Sequence, residues 1–263
     1  MPKVIDSGVV KPTNKDFART IESTKLDINA PFHWLELAWQ DFLRAPGLSL
    51  LFGACFAVAT FAIMYFVYLQ SSHLVILPSL VLFVLAGPFL ASCLYSISWD
   101  LARDKQPTLQ HALFAISRNK TSKWGFAVFL AVTMILWMRI AALLHVFYPS
   151  ETGAPIFEFL PFLLIGSLFG LVLMTFVFMV SAFSMPLMME RRVDLMTAII
   201  SSFKAVKANK KAMIIWALMI VIGVLVGILT AGIAMMVIMP LLGYATWHGY
   251  LETITTKQPR HYE

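Results

Sequence analysis

The sequence predicts an all-α polytopic membrane protein: six transmembrane helices, built as three pseudo-repeats of an interfacial helix followed by a transmembrane hairpin. Three observations carry this expectation. Of 263 residues, 59% are hydrophobic and 13% charged, against about 25% charged in a soluble domain. The apolar residues gather into runs near the roughly 20 residues that cross a bilayer. The 20 Lys and Arg lie almost entirely between those runs.

Residues 1–28 open the chain. Lys3, Lys11, Lys15, Arg19 and Lys25 alternate there with Asp6, Asp16, Glu22 and Asp27. No apolar core of a secretory signal is present, so the segment reads as a cytosolic, disordered tail. Residues 29–259 then form one membrane domain, with repeats at about 29–107, 108–193 and 194–259.

The first repeat begins with Phe32, Leu35, Ala38, Trp39, Phe42 and Leu43 on one helical face, at the i, i+3, i+4, i+7 spacing of an amphipathic helix. Asn29 stands where an N-cap belongs. Spans near 48–69 and 74–99 follow. In the second repeat, Thr108 caps a face of Leu109, Ala112, Leu113 and Ile116, and the spans lie near 124–147 and 159–189. In the third, Asp194 caps a face of Leu195, Ala198, Ile199, Ser202, Phe203 and Val206. The spans here, 212–231 and 234–252, are continuous in hydropathy. As one helix, Ala212–Tyr250 would be about 58 Å long, nearly twice the hydrocarbon thickness. The chain must therefore fold back, and Thr230-Ala231-Gly232 is the turn.

Charge orients these elements. Asp100–Lys123 carries Arg103, Lys105, Arg118, Lys120 and Lys123, and Glu190–Lys211 carries Arg191, Arg192, Lys204, Lys207, Lys210 and Lys211. Gln70–His73 and Pro149–Glu158 have no cation. The positive-inside rule puts both termini in the cytosol. The net charge of +6 is thereby used in orienting helices, and nucleic acid is excluded as a partner.

An internal match supports the repeat. PFLASCLYSISWDLARDKQP, from Pro88 to Pro107, aligns without a gap to PLLGYATWHGYLETITTKQP, from Pro240 to Pro259. Pro88/Pro240, Leu90/Leu242, Lys105/Lys257, Gln106/Gln258 and Pro107/Pro259 are identical pairs. A weaker copy starts at Pro186.

The APFHWLELAWQDF segment, the AGPFL proline and the six-span layout resemble a family of uncharacterised bacterial integral-membrane proteins of unknown function. Some members carry the label "potential cytochrome c oxidase subunit I". The resemblance covers most of Asn29–Pro259 and implies a multi-pass protein of the bacterial inner membrane, not an activity. The oxidase label asks for about six histidines at bilayer depth. The six here are scattered: His33 and His111 on interfacial helices, His73 and His145 near the outer surface, His248 near the inner end of the last span, and His261 in the tail. No haem or other cofactor and no metal site is expected, the lone Cys55 and Cys93 reading as small packing residues.

Few residues qualify as a site. Arg139 is the one clearly intramembrane charge, in TMILWMRIAALLHVF. Two readings stand. Its guanidinium either snorkels to the outer headgroups, or faces the interior and binds Glu158, a lipid phosphate or an anion, with His145 nearby. Pro88, Pro186 and Pro240 each remove a backbone donor from an even-numbered span, as structural kinks or as hinges. The Met185, Met188, Met189 cluster reads as apolar filler. No Walker loop, CxxC, HExxH or Ser-His-Asp spacing appears, so an enzyme is not expected. Asp100, Asp104 and Glu190 are too scattered in sequence to assign a role. The expected function is that of a structural or accessory membrane component that binds lipid or a partner complex. The alternative is a small-solute or anion transporter or channel that uses Arg139.

Overall fold

The computed structural model describes residue 21 and residues 23–70, 73–144, 156–191 and 193–254. The chain is all-α. In order it forms α1 (Ala30–Arg44), α2 (Pro46–Gln70), α3 (His73–Leu101), α4 (Leu109–Ser117) and α5 (Lys120–Leu144). A 3-10 turn at Ile156–Phe159 leads into α6 (Leu160–Ser181), α7 (Ser184–Arg191), α8 (Leu195–Ala208), α9 (Lys210–Leu229) and α10 (Met235–Thr253).

The six-span, three-repeat layout is corrected. Among the described residues, four stretches are long and apolar enough to cross a membrane: Pro46–Tyr65, Lys120–Leu144, Phe157–Arg191 and Lys210–Leu229. Neither α3 nor α10 is one of them. In α10, Tyr244, Thr246, Trp247, His248 and Glu252 interrupt the apolar run and lower its mean hydropathy. The second half of α3 faces protein: Cys93, Leu94, Ile97, Trp99 and Leu101 are buried. So does α10, whose Tyr244, Ala245, Trp247 and Tyr250 are almost wholly enclosed. α10 is the hub, packed against α1, α2, α3, α7 and α9. Around it, the edges of Phe183 and Trp216 meet Trp34, and Trp99 meets Trp247 edge-on at 5.4 Å.

Local chemistry sets the boundaries. Thr108 and Asp194 are N-caps as expected, accepting from the amides of His111 and Thr197. Asn29 precedes α1 but makes no side-chain cap; Pro31 in the first turn leaves one fewer amide needing one. The expected turn after α9 is present: Ala231 at φ 51° and Gly232 at φ 91° reverse the chain, and the Gly232 amide donates to Gly227 O at 2.8 Å. The tip packs on α2, where a Cβ on Gly232 would lie 3.0 Å from Ala57 O.

The tail expected over 1–28 falls mostly outside the described residues. Of it, residues 21 and 23–28 are bonded into the body. The Thr24 amide donates to Thr253 O at 2.8 Å, Ser23 bridges Ile254, and the Ile21 amide donates to Ser201 Oγ at 3.1 Å.

Candidate functional site

The described residues among those singled out in the sequence do not converge. Arg139 lies on α5 with its side chain exposed and makes no ion pair among the described residues. Glu158 is exposed on the 3-10 turn. His145 lies outside the described residues, and Arg139 and Glu158 form no ion pair with each other. Pro88 is buried within α3, and Ser92 Oγ donates to its carbonyl at 2.9 Å. Pro240 is buried inside α10.

Pro186 stands in the first turn of α7, just past the break that separates it from α6. A proline there cannot donate to the carbonyl four residues back, that of Ala182. Just before it, Ser202 of α8 inserts into the ladder between Met179 and Phe183: its hydroxyl donates to Met179 O at 2.9 Å and accepts from the Phe183 amide at 3.1 Å. The end of α6 and the break after it are thereby bonded to α8.

Buried polar groups assemble where periodicity gave no signal. Asp41 of α1 accepts from Ser98 of α3 and from His248 of α10, the latter at 2.8 Å. Ser98 Oγ lies 3.3 Å from His248 Nε2. The hydroxyl and the carboxylate thus meet the same ring nitrogen, whereas a nucleophilic triad needs them on opposite nitrogens. The cluster ties three helices together. Glu252, exposed near the end of α10, accepts from Trp34 Nε1 at 2.6 Å, joining α10 to α1, and buried Glu190 of α7 accepts from the Tyr250 hydroxyl. Burial, and then the Glu190 carboxylate beside it, push that hydroxyl well above the usual tyrosine range. Ser49 donates to Ala45 O at 2.7 Å, so its contact with the Tyr244 hydroxyl, also 2.7 Å, is one in which Tyr244 donates. Asp100 meets His111 Nδ1 at 2.6 Å.

A large opening lies elsewhere, between α5 and α6. It is a groove of about 1030 Å³ whose walls include Thr133, Trp137, Ala141, Gly166, Ser167 and Gly170. Gly170 lets α6 approach the Trp137 ring, since a Cβ there would lie 3.2 Å from the indole. The groove is almost wholly apolar, and Arg139 is not in its wall. Among the described residues no group of three or more His, Cys, Asp or Glu is arranged to hold a metal ion.

Residues 76–190, somewhat under half of the chain, match the model of a family described as "Predicted integral membrane protein (DUF2189)". No curated protein and no solved structure matches the chain. The match and the four apolar helices agree that this is a multi-pass integral membrane protein. The match carries nothing in favour of an oxidase label.

Proposed function

We propose that the protein is a structural or accessory component of the bacterial inner membrane, with both termini cytosolic, that binds lipid or a partner membrane protein. The supporting observation is the α5–α6 groove, which lies between two candidate membrane-crossing stretches and is lined by hydrocarbon. Such a surface favours an acyl chain or an apolar helix over an ion or a polar solute. The buried carboxylates act in the same sense. Asp41, Asp100 and Glu190 are each bonded within the protein, which gives them a use in holding helices together.

Gentle purification followed by native mass spectrometry tests this reading. Retained lipid or a co-purifying subunit is expected. Gly166 supplies the specific variant, because a Cβ there meets nothing within 4 Å. Gly166→Phe should fold and fill the groove, and retention should fall several-fold. A protein that retains neither lipid nor subunit, or a variant that retains both unchanged, would count against the groove. Anion-dependent flux through reconstituted protein, lost in Arg139→Leu, would instead favour the transporter.

A further inference from the structure

A second concavity lies at the start of α9, where Lys25, Lys207, Lys210 and Lys211 converge on a pocket of about 280 Å³. We propose that this pocket binds the headgroup phosphate of an anionic phospholipid. The proposal rests on the lipid-binding reading above and deepens it.

Four cations at one mouth repel one another unless an anion joins them. No acidic residue lines the pocket, and among the described residues none of the four lysines forms an ion pair. The arrangement is held from below. Asn209 is buried and clasps the segment that carries Lys25: its Oδ1 accepts from the Leu26 amide at 2.8 Å, and its Nδ2 donates to Thr24 O at 2.9 Å. Asn209 is also the residue preceding α9, yet it makes no side-chain cap there. A good N-cap is worth about 1 kcal/mol to a helix, and here the side chain is spent on placing Lys25 opposite Lys207, Lys210 and Lys211.

Position selects the ligand class. Lys210 and Lys211 open the candidate span Lys210–Leu229, so the pocket lies at a membrane boundary, where phospholipid phosphates are found. Lysines near an anionic surface contribute about fivefold each to lipid affinity. Leu26, Ala208 and Ala212 add an apolar edge for the glycerol that carries the phosphate.

The test titrates the purified full chain with phosphatidylglycerol and with phosphatidylcholine of the same acyl chains, read by native mass spectrometry. Phosphatidylglycerol should bind at least about tenfold more tightly. The triple variant K207Q/K210Q/K211Q should lose that preference, K207R/K210R/K211R should keep it, and the distant K105Q should leave it unchanged. Preference that survives the triple glutamine variant, or that is lost in the triple arginine variant, would overturn the proposal. Displacement of the lipid by millimolar inorganic phosphate would also overturn it, in favour of a soluble anion. If the preference is absent while phosphatidylcholine stays bound in a Gly166-dependent manner, the lysine pocket fails and the groove reading stands.

Discussion

Two glycines of α2 show how far a single Cβ matters here. A Cβ on Gly53 would sit 2.0 Å from the backbone oxygen of Met236, whereas one on Gly47 would meet nothing within 4 Å. Gly53→Ala should therefore destabilise by about 1–3 kcal/mol or more, because backbone cannot repack as a side chain does. Gly47→Ala should be neutral or stabilising by up to about 1 kcal/mol. Thermal unfolding of the two variants in one detergent checks the contrast. The Asp194 cap is a different kind of determinant. The Thr197 hydroxyl and then its amide hold the Asp194 carboxyl below the usual carboxylate range. Its stabilising contribution is present above the usual aspartate value and is lost as pH falls through the lowered one. Asp194→Ala should cost about 1 kcal/mol near neutral pH. Asp194→Asn, an equally good cap, should remove the acid-side loss, as pH-dependent unfolding would reveal. Both caps, Thr108 and Asp194, were legible in the sequence because a cap is a local event. The Asp41–His248 contact was not, since its partners are 207 residues apart.

Beside the apolar core, paired polar groups join several of the helices. Asp41, Ser98 and His248 link α1, α3 and α10, and both ends of the Asp41–His248 pair are largely enclosed. Removing one partner of such a pair leaves the other unsatisfied, at a cost of about 3–5 kcal/mol. Asp41→Ala should lower stability by that order and expose α1 to hydrogen exchange before the rest. If α1 stays as protected as in the parent, the tie is not what holds it. Arg139 gives the opposite expectation. It is exposed on α5, with no ion pair among the described residues to lose, so Arg139→Leu should leave unfolding unchanged or slightly raised. The α9–α10 turn was legible from length and Gly232 alone. The six-span reading failed at α10 for a physical reason: Tyr244, Thr246, Trp247, His248 and Glu252 interrupt its apolar run, and the helix packs on Trp34 and Tyr95 inside the protein.

At the scale of the whole molecule, the helices divide into an enclosed group and a lipid-facing group. α10 and the described half of α3 are covered by α1, α2 and α7. α2, α5, α6 and α9 turn large apolar side chains outward, among them Val58, Val132, Leu164 and Ile222. α6 is the barest, with only 6% of its most apolar window buried. In water such a surface would drive aggregation; in a bilayer it is the ordinary face of a spanning helix. Labelling the intact protein in vesicles with a carbene-generating lipid, and mapping the adducts by peptide mass spectrometry, tests this division most directly. Adducts should concentrate on Val58, Val132, Leu164 and Ile222, with Tyr244, Ala245 and Trp247 of α10 left unmodified. Equal labelling of Tyr244–Trp247 and Leu164, or an unlabelled α6, would contradict this division between an enclosed α10 and four lipid-facing helices.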